Sequence, residues 1–476
     1  MKRLLKLVLV AALVGTPLLG FAQDAKPDPA AVAALTNADL DGLKASITSA
    51  HGAGDTAWML TSAALVLLMT VPGLALFYGG MVRRKNILST MYYSMASAVV
   101  VSIVWVVAQY SMAFSAKEII PGILGDFSKL FLNGVTRDST WYLIPENVFS
   151  MFQLMFAIIT VALISGAVVE RMSITAWILF SALWSLVVYA PLAHMVWGGG
   201  WLSVFDSQSS IGALFGVPKS NTLDFAGGLV VHISSGVSAL VLALLLGPRV
   251  RYGKDSIIPN NIGFTFIGAG MLWVGWFGFN AGSAVAANGL AGSAFLVTNT
   301  AAAMAALTWI VIEYIHHKKP TLIGASTGVV AGLVAITPAS GFVDVTGALV
   351  IGIAVSIVCY VFVAFIKKAL KYDDSLDAFG IHAVGGTTGA LLTGVFANPA
   401  IGYYFDGVTP AAGGLYGNWT QLGMQALSIL IAIAFAVIGT LVCYFIVSLV
   451  TKVRVEPQEE VIGLDLTQHG EKQGDR

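Results

Sequence analysis

The chain has 476 residues, of which 57% are hydrophobic and 11% charged. A soluble protein of that length needs more charge to cover its outside, whereas apolar runs long enough to cross a bilayer recur along almost the whole chain. The 25 basic and 25 acidic side chains cancel, which argues against nucleic acid as a ligand.

Residues 1–22 read as a secretory signal peptide. Lys2, Arg3 and Lys6 make a basic start, Leu7 to Leu19 an apolar core, and Gly20-Phe21-Ala22 a small-residue cleavage point. The alternative is an uncleaved anchor; cleavage is favoured because the apolar core is short for a bilayer span. The polar stretch 23–55 is a translocated, periplasmic arm in either case.

Eleven further apolar spans are expected, near 57–79, 89–113, 148–168, 173–194, 225–247, 259–281, 285–315, 321–338, 341–367, 378–397 and 420–451. Alternate connections then carry sixteen Lys and Arg on one side, from Arg83-Arg84-Lys85 to Lys472 and Arg476 in the tail. The other side carries six: Lys26, Lys44, Lys117, Lys129, Arg137 and Lys219. By the positive-inside bias the sixteen face the cytoplasm, so the mature N-terminus is periplasmic and the tail, 452–476, cytoplasmic. An odd number of spans requires the same arrangement. The two cysteines, Cys359 and Cys443, sit inside apolar runs and read as buried small hydrophobes rather than a disulfide or metal pair.

A weak internal symmetry runs through the spans. Asp224 precedes His232 by eight residues at the start of the fifth, and Asp374 precedes His382 by the same eight at the start of the tenth. The first and sixth spans end alike, as Leu76-Phe77-Tyr78-Gly79-Gly80 and Phe277-Gly278-Phe279-Asn280-Ala281-Gly282. Five spans is an odd number, so the second copy runs the opposite way through the membrane. The expected fold is an all-α membrane domain over 56–451: eleven transmembrane helices, an inverted 5+5 pseudo-repeat plus a long eleventh helix.

The fifth span enters from outside and the tenth from the cytoplasm, so each histidine lies about 12 Å in from its own face. Both imidazoles thus approach the midplane of a hydrocarbon core about 30 Å thick. Each alone reads as a satisfied core histidine. Two at matched depth read as a functional pair, because ionisable groups in lipid must face a cavity or each other. Two neutral imidazoles can share one N–H···N bond and line a narrow pore or relay a proton. No third metal ligand is obvious beside them. Of the other histidines, His316 and His317 fall in a basic loop, His51 and His469 in polar ends, and His194 at an interface.

Phe152 and Phe156 lie in the outer half of the third span, Trp197 ends the fourth, and Trp276, Phe279 and Ser283 close the sixth. Singly these read as an interfacial belt. The glycines among them, at 198–200 and at 275, 278 and 282, point to a site instead. Aromatic faces attract a desolvated cation by about 2 kcal/mol or more, and a hydroxyl such as that of Ser283 accepts an N–H. A small cation rich in N–H donors fits. Asp224 reads first as a helix N-cap and second as an electrostatic aid to this outer site.

Together these runs resemble the ammonium transporter family (Amt/Mep/Rh), its bacterial Amt branch in particular. The resemblance is carried by Pro72–Gly80, His194–Gly200, Asp224–Gly228 with His232, Gly275–Ser283, Asp377-Ala378-Phe379-Gly380-Ile381-His382, and the tail run Gly463-Leu464-Asp465. It implies an outer ammonium site of Phe156, Trp197 and Ser283 with Phe152 nearby, and a gate of Phe156 stacked on Phe279. It also implies a pore past Trp276 to His232 and His382, with Asp224 and Asp377 in structural or electrostatic roles. Ammonium would shed its proton before or at the gate, and ammonia would pass with or without it. A homotrimer in the inner-membrane bilayer and a PII-type signalling partner on the cytoplasmic face follow from the same resemblance; no cofactor or catalytic residue does. Trp197 with Ser283 favours Amt over Rh. The long 23–55 arm, the extended loops at 115–147 and 201–222, and Thr327 in place of a common serine depart from the pattern. A rival expectation is an ammonium sensor signalling through its tail.

Overall fold

The computed structural model describes residues 37–203, 221–254, 258–403 and 410–474. The expected signal peptide lies outside the described residues, as do the first part of the arm and most of the 201–222 loop. The chain divides into two units, Met1–Ala53 and Gly54–Arg476. The described part of the first, from Asn37, is helical; the second holds the remaining elements.

Ten helices among the described residues are long and apolar enough to cross a membrane. They are α1 (Asp41–Met81), α2 (Arg84–Phe114), α3 (Glu146–Val168), α4 (Ile174–Trp197), α5 (Gly228–Leu246), α6 (Ile262–Gly282), α7 (Gly289–His317), α9 (Val345–Leu370), α10 (Phe379–Phe396) and α11 (Trp419–Val450). The eighth expected span is the shorter α8, Leu322–Ile336, of 15 residues. The last helix is long, as expected, at 32 residues. The 115–147 connection adds two small antiparallel ribbons to the helices, β1 (Glu118–Ile120) with β2 (Leu124–Gly125) and β3 (Thr140–Trp141) with β4 (Ile144–Pro145).

Burial shows which helices lie at the centre. The most apolar stretch of α3 is 89% buried and that of α5 78%, against 33% in α2, α7, α9 and α11. The outer helices present apolar side chains such as Ile103, Leu307, Ile357 and Leu449 to their surroundings. A water-soluble surface would not tolerate that much contiguous apolar area. The short α8 is packed instead on small residues. A Cβ at Gly328 would meet Trp309 and Ala306 at 2.8 and 3.0 Å, and one at Gly332 would meet Ala301 O at 2.6 Å. This is the close backbone approach that small residues four apart permit between membrane helices.

At one end, a buried ionic cluster ties four connections together. Glu170 is fully buried in left-handed backbone (φ 72°). Its carboxylate accepts from Arg83 N and Nε at 3.0 and 2.9 Å, from Asn86 Nδ2 at 2.8 Å and from Arg249 Nη1 at 2.7 Å. Arg249 also donates to Asp373 through N, Nε and Nη2 at 2.8 to 2.9 Å. Arg171 donates to Asp373 O at 2.5 Å and to Ser375 Oγ at 2.7 Å.

The tail joins the same cluster. It forms α12 (Pro457–Ile462) and α13 (Leu464–His469). Glu460 accepts from Val250 N at 2.7 Å and from Arg454. Leu464 N donates to Asn86 Oδ1 at 2.8 Å, and Asp465 accepts from Ser89 N at 2.8 Å. Residues that the charge count assigned to one side are thus gathered on one face of the fold. His469, expected in a polar end, instead stands 4.6 Å from the ring of Tyr92. His316 and His317 belong to the last turn of α7 rather than a loop, with His316 Nδ1 2.7 Å from Tyr360 Oη.

Burial pushes the Glu170 carboxyl up, but the guanidiniums of Arg249 and Arg83 outweigh it and hold the group below its ordinary 4.5. Burial and Arg249 oppose each other in the same way at Asp373, which is also held low. A depressed folded value gives stabilisation that is complete above the unfolded value and lost as pH falls. In detergent the melting temperature should therefore hold from neutral pH to about 5 and drop below it. E170Q should lose about 3 kcal/mol at neutral pH, because it strands two arginines, and should show a shallower acid loss. An unchanged thermal melt of E170Q across that range would refute this role.

Candidate functional site

The site is built where α5 and α10 begin inside the fold. A helix that starts in an apolar interior must find acceptors for its first N–H groups within the protein. For α5 these come from Asp224, which is fully buried. Its Oδ1 accepts from Gly227 N and Gly228 N at 2.9 and 2.5 Å, and its Oδ2 from Leu229 N and Val230 N at 2.8 and 3.2 Å. Its carbonyl accepts from Trp197 Nε1 at 2.9 Å, so the cap also fixes the indole. Gly227, at φ 115°, supplies the left-handed turn into the helix.

For α10 the cap is Asp374, whose oxygens accept from Ala378 N and Phe379 N at 3.1 and 2.8 Å. Asp377 stands outside the cap. Its backbone is left-handed (φ 59°) and its carboxylate meets Lys367 Nζ at 2.6 Å.

Both histidines sit in widened first turns, Gly228–Ile233 and Phe379–Ala383. Each is followed four residues later by a glycine, Gly236 and Gly386. A Cβ on Gly236 would lie 2.2 Å from Ala383 N, and one on Gly386 would lie 3.0 Å from His232 Cβ. The two backbones therefore cross at the glycines, and the imidazoles face each other. Their Nδ1 atoms are 3.4 Å apart and their planes 21° apart, with both rings buried. One N–H can lie between the two Nδ1 atoms, so one ring donates and the other accepts. His232 Nε2 has no partner among the described groups.

The aromatic residues continue the line from the histidines. Trp276 lies 5.5 Å from His232, ring to ring, and its Nε1 donates to Thr337 Oγ1 at 2.9 Å. Phe279 follows, 6.2 Å from His232 and stacked on Phe156 at 4.1 Å with planes 20° apart. Trp197 meets Phe156 edge-on at 5.8 Å. Phe152 packs behind Phe156 at 4.9 Å, in space that Gly282 leaves open.

Beyond the phenyl pair lies a half-enclosed cavity of about 440 Å³. Phe156, Trp197 and Ser283 line it, with further aromatic walls from Phe114, Trp141 and Phe342. Ser283 Oγ donates to Phe279 O at 2.9 Å, which leaves its lone pairs free to accept. On the histidine side of the stack, a void of about 10 Å³ borders Trp276 and His382, room for about one water-sized molecule. The fold thus gathers Phe152, Phe156, Trp197, Trp276, Phe279, Ser283, His232 and His382 into one line and leaves Asp377 aside. Among the described residues no cluster of three His, Cys, Asp or Glu could hold a metal.

Several residues of the site were not singled out from sequence. Gly236 and Gly386 carried a signal, since the His-x-x-x-Gly spacing occurs in both halves. Gln153, a polar residue in the apolar α3, and Asp55 also line the cavity. His194, expected at an interface, is buried, with Nδ1 3.0 Å from Ala113 O and Nε2 3.1 Å from Glu118 Oε1. It pins the end of α4 to the β1 ribbon.

Residues 57–474 match the model of the Ammonium Transporter Family. An ammonium transporter of Bacillus subtilis is 48% identical over 424 residues, covering 88% of this chain and 98% of that one. Among solved structures, Mep2 of Saccharomyces cerevisiae superposes with a TM-score of 0.73 at 34% identity, covering 82% of this chain and 84% of its own. A sensor Amt protein superposes with a TM-score of 0.76 at 28% identity, covering 88% and 99%. With a family match over nearly all of the apolar region and close relatives across it, the chain belongs to the ammonium transporter family.

Proposed function

We propose that this protein carries ammonium across a membrane by binding the cation in the aromatic cavity and passing ammonia between the phenyl pair and along His232 and His382. The observation that carries the reading is the order of the groups. An aromatic cavity with an acceptor hydroxyl is followed by an apolar stack, and then by two buried imidazoles in contact.

Each step has a physical reason. Trp197 and Phe156 present π faces to a cation, and Ser283 offers a lone pair to one of its N–H groups. The stack at 4.1 Å has no polar group to replace water. A charged ammonium there would lose its hydration without compensation, which costs far more than moving neutral ammonia. The proton is therefore given up on the cavity side, to water at the cavity mouth. Beyond the stack, Nε2 of His232 and the neighbouring ring offer one donor and one acceptor to the neutral molecule.

Positive charge clustered at the ionic end supports an orientation with the tail in the cytoplasm and the aromatic cavity outside. The family resemblance further supports an inner-membrane homotrimer and a PII-type partner at the tail. A second reading, ammonium sensing through the tail, is favoured by the likeness to a sensor Amt protein.

Uptake of radiolabelled methylammonium into proteoliposomes tests the proposal. W197L should raise the half-saturating concentration roughly thirty-fold, the equivalent of about 2 kcal/mol of cation–π attraction, with the maximal rate little changed. Half-saturation equal to wild type would remove the aromatic site. H232A should cut the maximal rate at least about tenfold or let a monovalent metal ion through, because a lost N–H partner leaves the narrowest polar segment unlined. Wild-type rate and selectivity in H232A would take the histidine pair out of the mechanism. A protein that binds methylammonium but moves none above empty liposomes would be a sensor.

A further inference from the structure

The cavity is lined by one charged side chain among the described residues, Asp55. Its Oδ1 accepts from Ala287 N at 2.8 Å. That bond holds the connection between Ser283 and α7, and it leaves a negative charge on the cavity wall. A carboxylate at the rim of an apolar aromatic cavity concentrates field lines there and raises the local density of cations.

Gln153 supplies a second observation of a different kind. It stands on α3, one residue after Phe152 and three before Phe156, and is 8% exposed. It lines the same cavity, and its Oε1 has no hydrogen-bond partner. A buried amide oxygen left without a donor costs about 1–3 kcal/mol, and native structures complete such a group with a water or a ligand. The cavity has room for such a ligand: about 440 Å³ is many times the roughly 10–15 Å³ that one water-sized molecule needs.

We propose that Asp55 and Gln153 select the cation in this cavity, Asp55 by drawing positive charge to it and Gln153 by accepting an N–H that the aromatic rings cannot accept. The inference rests on the cavity being the cation site, and it adds to the Ser283 hydroxyl a second N–H acceptor and a charge on the wall. Aromatic faces bind any cation of fitting size. An unpartnered amide oxygen rewards only a cation that carries N–H donors.

The test measures equilibrium binding of radiolabelled methylammonium, and its displacement by tetramethylammonium, on the purified full-length protein in detergent. Tetramethylammonium has the same charge but no N–H. Q153L should weaken methylammonium about tenfold and tetramethylammonium less than about twofold. Q153E, which has acceptors only, should bind methylammonium at least as tightly as wild type. Equal loss of both cations in Q153L, no loss of either, or loss of methylammonium in Q153E would overturn the role of Gln153.

D55N keeps the acceptor for Ala287 N and removes only the charge. It should weaken both cations about threefold or more at low salt, and the difference should close near 0.5 M salt. A salt-independent loss, or none at low salt, would overturn the role of Asp55. Wild-type protein that binds neither cation would instead refute the cavity as the cation site. That outcome is distinct from failure of either variant, and no arm depends on transport.

Discussion

Two imidazoles can share a hydrogen only if the helices that carry them come closer than ordinary side chains allow. Here α5 and α10 meet at Gly236 and Gly386, and a single Cβ on Gly236 would fall 2.2 Å from the backbone of Ala383. That crossing sets the 3.4 Å contact between the histidines. Both helices also begin inside the fold, next to the buried side chains of Asp224 and Asp374. Those carboxylates accept from the N–H groups at the helix starts. The carbonyl of Asp224 then holds Trp197, so the cap of the histidine helix and the wall of the cavity are one structural unit.

The rest of the line follows from the cost of charge in an apolar place. The cavity offers π faces, a hydroxyl, a carboxylate and an amide oxygen, and the stack of Phe156 on Phe279 offers none of these. On the proposed reading a cation is held on one side of the stack, and an uncharged molecule crosses it at lower cost. At the opposite end the charge is structural. The Glu170, Arg249 and Asp373 cluster joins four connections and the tail, so the orientation of α5 and α10 is tied to α12 and α13 through shared hydrogen bonds.

Much of this was legible in the sequence because the membrane simplifies the code. Apolar runs located the long helices, and the repeated eight-residue spacing from Asp to His pointed to both caps and both histidines. Asp377 drew attention through the family run before His382, yet the repeat had already marked Asp374. The capping carboxylate must reach N–H groups four and five residues on, and the left-handed turn at Asp377 aims that side chain at Lys367 instead. The docking of the tail is not legible in the sequence because its anchors are far apart in the chain: Asp465 and Ser89 are separated by 376 residues, and no local pattern reports such a bond. His194 looked interfacial for the same reason, since Glu118 and Ala113 lie on another element. The close approach of α8 to α7 is made by Gly328 and Gly332, which hydropathy does not register.

The central claim is that ammonium is bound as a cation and crosses the phenyl stack after losing its proton. An ammonium pulse onto proteoliposomes, with membrane current and internal pH recorded together, tests it most directly. The account predicts a response well above empty liposomes, in which ammonia arrives inside: an internal pH rise without current if the proton stays behind, or a current if the proton follows by its own route along the histidines. No change in either signal above empty liposomes would contradict it.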